Sequence, residues 1–161
     1  MKEAIENLQK VKNRLTYQIL DTILQESERV LNSDISYFAT MNPEENVLTM
    51  RGWSKTVMGD CSIIAKPIVY KLEETGLWGD AVRERKAVIT NDYQNSTKPT
   101  KKGYPEGHVH VVRHMNIPVF ENNKVVAVLG VGNKASDYTD ADANNLIQIG
   151  NEAWSIIKSK I

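Results

Sequence analysis

A single cysteine, Cys61, stands among the 161 residues. It excludes an internal disulfide framework and any multi-cysteine zinc site. One thiol is what a reducing compartment permits, so a cytoplasmic setting is expected. Net charge is missing as well, with 20 Lys and Arg against 20 Asp and Glu. A nucleic-acid binder carries a basic excess or stripe, and the short run KPTKK (Lys98 to Lys102) reads as a solvated loop. No charged-then-apolar leader and no apolar run of membrane-crossing length is present, so no direct membrane contact is expected. The chain also lacks a G-x-S-x-G elbow, a Walker loop and an H-E-x-x-H pair. The expectation is a protein that is not an enzyme. An enzymatic reading would have to use Cys61 as nucleophile, with no histidine beside it in sequence.

Glycine and proline are absent from the first 42 residues, the first of each being Gly52 and Pro43. Nothing there punctuates a helix. Ile5, Leu8, Val11, Leu15, Ile19 and Ile23 recur at spacings of three and four, which predicts one amphipathic helix over 1–31. Asn32, Ser33 and Asp34 end it. At 41% hydrophobic residues, the 161-residue chain is predicted to form one domain with a real core.

The period then changes to two. Ile35 to Asn42 and Val47 to Ser54 flank the turn signal PEEN and predict a hairpin. An irregular stretch is expected over 55–74. A short helix follows in GLWGDAVRERK, with Leu77, Ala81 and Val82 facing inward, then a short strand in AVITNDY and a loop over 94–107. VVRHMNIPVF and KVVAVLGVGNKA read as strands joined by ENN, and a helix over 140–161 closes the chain with Thr139 as N-cap and Asp142 three residues on. The fold class is therefore α+β. A central antiparallel sheet over 35–138 carries both terminal helices on one face, with the short helix and crossing loops on the other.

ETGLWGDAVRERKAVITNDY, KKGYPEGHVHVVRHMNIPVFENNKVVAVLGVGNK and YTDADANNLIQIGNEAWSII together resemble the GAF domains of sensor histidine kinases and related signalling proteins. The resemblance spans Leu15 to Ile161. It implies a sensory input module that binds a small molecule and signals through its terminal helices, paired in a homodimer and continuing into adjacent signalling domains of a parent protein. Asn133, Lys134, Tyr138 and Asp142 are similar to the NKxF…DE signature of cyclic-nucleotide GAF domains, with tyrosine for phenylalanine and Ala143 in place of the glutamate. In that family the lysine and aspartate form a structural ion pair, which implies the same role for Lys134 and Asp142. GAF enzymes that reduce free methionine sulfoxide use several cysteines, and this chain has one.

All three histidines, His108, His110 and His114, fall within seven residues. They share one parity, while Val109, Val111, Met115 and Ile117 share the other. A regular strand would make one face imidazole-rich and the other core. Two readings stand side by side: a polar rim around a pocket, or a haem sensor of redox state or gas. Some GAF domains of sensor kinases hold haem through a histidine, which makes these three the axial candidates and Cys61 a covalent link. Trp53 and Trp78 are candidates for pocket walls or for core, and Trp154 on the last helix for packing or a dimer seam. Asp92 and Arg113 sit at strand ends, where Arg113 suits an anionic ligand group or pairs with Asp92 or Glu106. A third reading, a ligand-free dimerisation module, needs only the terminal helices.

Overall fold

A computed structural model describes residues 1–54, 69–104 and 108–161. Cys61 and Glu106 lie outside the described residues. Helix α1 (Lys2–Val11) and helix α2 (Thr16–Leu31) precede strands β1 (Ile35–Met41), β2 (Val47–Trp53) and β3 (Val69–Lys71). Two 3-10 turns (Leu72–Glu74 and Leu77–Gly79) lead into the short helix α3 (Asp80–Glu84). Strands β4 (Val88–Thr90), β5 (His114–Glu121) and β6 (Lys124–Gly132) and helix α4 (Asp140–Ile157) complete the order.

The strands form one six-stranded sheet in the order β3-β2-β1-β6-β5-β4, every pair antiparallel. Alternation sorts its side chains onto two faces. Phe38, Met115, Ile117, Val119, Ala127, Leu129 and Val131 meet Leu8, Ile19, Ile23, Leu146 and Ile149 of α1, α2 and α4 in the main core. Ala39, Leu48, Met50, Val125 and Val128 point the other way and are covered by Val82 of α3 with Trp78, Trp53, Tyr70 and Tyr37. The terminal helices thus share one face, and the short helix and turns occupy the distal face. Gly150 lets α4 sit close on the sheet: a Cβ there would lie 2.9 Å from the Ile117 side chain and 3.0 Å from that of Val119.

The N-terminal helix is two helices. It breaks at Lys12–Leu15, where Leu15 is extended (ψ 149°) and its N–H donates to Gln18 Oε1 at 3.2 Å. Helix α1 folds back antiparallel on α2, with Asn7 Nδ2 donating to Glu26 Oε1 at 2.8 Å and Arg29 Nη1 3.3 Å from Glu3 Oε2. An unbroken helix over 1–31 would run about 45 Å and carry Ala4 and Leu8 past the end of the sheet. Folding back buries both completely, and the leucine alone is worth about 2 kcal/mol. The apolar spacing survives the break, but Leu15 ends exposed.

The stretch expected to be irregular over 55–74 contains β3, which adds an edge strand through Val47↔Lys71 to Thr49↔Val69. The strand in AVITNDY is reduced to Val88–Thr90. Pro118 lies past the end of β4, where β5 has a partner on one side only and a missing N–H costs nothing.

Candidate functional site

The segment His108–Arg113 is not a strand; β5 begins at His114. Asn133 explains the start. Its Oδ1 accepts from Val112 N at 2.9 Å, its Nδ2 donates to His110 O at 2.8 Å, and its own N–H donates to Arg113 O at 2.9 Å. Held by this side chain, the segment leaves the sheet, and the shared parity of the three histidines no longer puts them on one face. His110 is exposed, with Nδ1 3.2 Å from Tyr104 Oη. His108 is half-buried, its ring 4.9 Å from that of Tyr104, and its Nδ1 donates to Val109 O at 2.6 Å. His114 alone is buried, 8% exposed, on the distal face.

Around His114 the structure assembles a polar seam in an otherwise apolar surface. Tyr37 Oη–H donates to Asn116 Oδ1 at 2.7 Å, and Asn116 Nδ2 lies 2.6 Å from His114 Nδ1. Thr90 is the cross-strand neighbour of His114, and Asn116 pairs with Gly130. His114 Nε2 and Thr90 Oγ1 are buried without a hydrogen-bond partner among the described residues. Buried polar groups are almost always paired, so two orphans side by side mark the place. Burial pushes the His114 imidazole down to about 4, with the charge of Asp80 acting the other way, and burial pushes the Tyr37 phenol far above its ordinary value. At neutral pH the seam carries no charge.

A cover of aromatic and acidic groups lies over it. Tyr93 meets His114 edge-on with ring centroids 5.5 Å apart, and Tyr93 in turn lies 5.5 Å from Tyr104. Leu77, Tyr93 and Val111 form a small cluster of their own. Asp80, 2% exposed, accepts from Arg83 Nη1 and from Thr100 Oγ1, both at 2.7 Å. Trp78 packs edge-on against Tyr37 at 5.7 Å and Tyr70 at 5.2 Å. Trp53 and Trp78 are both half-buried and pack against the distal cluster. A separate depression of about 460 Å3 opens beside β3 among Asn46, Val47, Lys71, Leu72, Glu73 and Arg83. Arg83 is no anion site: its two terminal nitrogens are spent on Leu72 O, Thr75, Gly76 O and Asp80.

Two other expected ligand contacts are used elsewhere. Arg113 Nη1 donates to Lys134 O at 2.7 Å and Ala135 O at 3.3 Å, and its Nε lies 3.5 Å from Asp137. Asp92 is exposed and accepts from Asn95 N and Nδ2, which hold its carboxyl below the usual range. Each fixes a loop, and the two do not pair through a hydrogen bond. Among the described residues no group of three His, Cys, Asp or Glu is arranged to hold a metal ion. Sequence reasoning missed Tyr37, Thr90 and Asn116. The signal was there in an asparagine flanked by Met115 and Ile117 in a strand, opposite a glycine of GVG.

The second motif is structural. Lys134 Nζ lies 2.8 Å from Asp142 Oδ2, and the same oxygen accepts from Thr139 N at 2.9 Å, closing the capping box of α4. Burial would raise the Asp142 carboxyl, but the bonds from Lys134 and Thr139 outweigh it and hold it below its ordinary value. Tyr138 shares its hydroxyl with Ser33 Oγ at 2.7 Å, and Asn91 clasps the Tyr138 backbone at both N and O. Ala143 is buried, 5% exposed. Lys134→Ala should cost about 2–3 kcal/mol, because it removes the counter-charge of a carboxylate only 14% exposed, leaving it the bonds from Thr139. Equilibrium denaturation checks it, and an unchanged midpoint would remove the clamp.

A family model described as "GAF domain" matches residues 16–158. The chain belongs to the GAF domain family. It is 42% identical over 158 residues to the "Methyl sulfide methyltransferase-associated sensor" of Methanosarcina acetivorans, covering 98% of this chain and 16% of that protein. The chain thus spans about a sixth of the length of this curated relative. Among solved structures it is similar to the GAF domain of a phosphoenolpyruvate-protein phosphotransferase from Coxiella burnetii, with TM-score 0.76, 13% identity, and 98% and 92% of the two chains covered. It is similar too to free methionine-R-sulfoxide reductase from Neisseria meningitidis in complex with its substrate, with TM-score 0.70, 12% identity, and 99% and 91% covered. At such identities the likeness establishes the fold alone. One of these neighbours is named as an enzyme, and the curated relative is named as a sensor. Among the described residues no helix is long and apolar enough to cross a membrane.

Proposed function

We propose that residues 1–161 are a sensory input module of a larger cytoplasmic signalling protein, of the two-component kind, that binds a small molecule on the distal face and does no chemistry on it. The observation that carries this is the buried pair His114 Nε2 and Thr90 Oγ1, without a hydrogen-bond partner among the described residues and opposite the terminal helices. Orphaned groups of that kind cost about 1–3 kcal/mol each, a penalty that a bound molecule relieves. Strand β5 supplies the link to output. Its His114 and Asn116 face the ligand side, while Met115 and Ile117 face the core, where α4 sits closely on Ile117 at Gly150. A ligand that changes the packing of β5 changes the seat of α4, and through it the helices of a homodimer. Native mass spectrometry of the purified chain against a metabolite panel tests it: a stoichiometric adduct lost in His114→Leu is expected. No adduct from any panel, with the dimer intact, would favour the ligand-free dimerisation module instead.

Haem is the second reading, and one observation favours it at a single histidine. A carbonyl only accepts, so the His108 Nδ1 bonded to Val109 O carries the proton and Nε2 carries the lone pair. That is the state in which imidazole binds iron. His114 is in the opposite state, since its Nδ1 faces an amide N–H₂. The three axial candidates are therefore not equivalent. His108 would hold the iron, which would supply redox or gas-binding chemistry. A visible absorption spectrum of protein purified from cells given haem precursor separates this reading from the first. A Soret band lost in His108→Ala is its expected signature.

A further inference from the structure

The polar seam on the distal face also says what kind of molecule it meets, and this inference rests on the small-molecule reading above. We propose that Tyr37, Asn116 and His114 hold a single N–H donor toward the distal face, and that the ligand is an uncharged molecule meeting it with a hydrogen-bond acceptor.

The direction of the chain follows from its members. Asn116 Oδ1 sits where a Cβ on Gly130 would be 2.5 Å away, so the Gly130 Cα–H points at it. Oxygen accepts that contact, whereas an amide N–H₂ would oppose hydrogen to hydrogen. With Oδ1 placed there, the Tyr37 hydroxyl donates to it, and Nδ2 is left to donate to His114 Nδ1. A ring nitrogen that accepts has no proton. In the neutral imidazole the proton is then on Nε2, the atom without a partner. Thr90 adds a hydroxyl beside it that donates or accepts as needed.

Charge narrows the class further. A cation or metal ion meets the positive end of an N–H dipole. An anion would be buried beside Asp80, and the cations nearby already have carboxylate partners: Arg83 is paired with Asp80, Lys98 with Glu84 at 3.0 Å, and Arg113 with Asp137, 3.5 Å from its Nε. An uncompensated buried charge is the costliest occupant of such a site. A neutral carbonyl, sulfoxide or N-oxide oxygen meets no such objection.

The test reads the proton directly. Long-range ¹H–¹⁵N NMR of the ¹⁵N-labelled chain at pH 7 should show His114 protonated on Nε2 and bare on Nδ1. Adding millimolar pyridine N-oxide, an acceptor without a donor, should shift the Nε2 resonance saturably, and ethylammonium should not. In Asn116→Asp the carboxylate should draw the proton to Nδ1. A proton on Nδ1 in the unmodified chain overturns the proposal, as does a saturable response to ethylammonium alone or to neither probe. The two readings fail separately. A chain that captures no metabolite yet shows Nε2–H loses the sensor role and keeps its seam, whereas a captured ligand with donor groups only keeps the sensor role and overturns this one.

Discussion

Gly130→Ala should destabilise the domain by about 3 kcal/mol and lower its melting temperature by roughly 10 °C, at the 2–4 °C per kcal/mol usual for this size. The backbone at Gly130 lies outside the left-handed region, so alanine meets no conformational objection. The cost is steric. A Cβ there would come 2.1 Å from Tyr37 Cε1, 2.7 Å from Tyr37 Cζ and 2.5 Å from Asn116 Oδ1. Trp78, which meets the ring edge-on at 5.7 Å, restricts how far it can shift. Moving it breaks the bond to Asn116 and strands a buried amide, 1% exposed, so overpacking and desolvation add. Calorimetry of a double-mutant cycle separates this from a generic core defect. Gly130→Ala placed on Tyr37→Val should cost far less than on the unmodified chain, since the colliding ring is gone. Equal costs in both backgrounds would show that the glycine is not there for Tyr37.

The same glycine marks what sequence pattern conveys and what it omits. Alternation along 35–54 and 114–132 and the apolar seam Leu146, Ile149, Ala153 were enough to expect the antiparallel sheet and its helix-covered face, because burial of one face is what those periods encode. The chain reversal after Val11 left no such trace. No glycine or proline marks it, and the four-residue spacing Val11, Leu15, Ile19 runs straight across; only the burial of Leu8 against α2 and α4 decides it. Strand β3 is three residues long and exists through its pairing with β2, a partner that local pattern does not name.

At the site, shared parity would place His108, His110 and His114 on one face only if the strand were regular there. Asn133, 23 residues downstream of His110, holds the preceding segment off the sheet, and β5 begins at His114. A side-chain clamp between distant segments has no periodicity. The asparagine and tyrosine that orient His114 were passed over for a related reason: in a strand each reads as an ordinary residue, and only the register Asn116↔Gly130 together with Tyr37↔Gly130 brings them onto one glycine.

Acidification should weaken the fold chiefly through His114 across the upper part of the window where most carboxylates are still ionised. Its ordinary value is 6.5, and burial pushes it to about 4 in the folded chain. Between those values the unfolded chain binds a proton that the folded chain refuses. Stability is therefore complete above about pH 6.5 and falls as pH drops toward 4, at about 1.4 kcal/mol per unit in mid-window and about 3 kcal/mol in all. The groups facing the ring set this balance. Burial, the largest cause, and Lys98 oppose the charged form, and together they outweigh Asp80, which favours it. Asp142, held below 3.8, loses its contribution beneath this window. Glu45, Glu84 and Glu121, held below 4.5, begin to lose theirs at its lower end, where Glu28, whose burial raises it, acts with the opposite sign. Denaturant unfolding at intervals from pH 7.5 to 4.5 should show this slope in the unmodified chain and a nearly flat profile in His114→Gln, which keeps an acceptor for Asn116 but cannot take the proton. Parallel slopes in the two proteins would mean that His114 is charged or solvated in the folded state, and the neutral donor at the centre of this site would go with it.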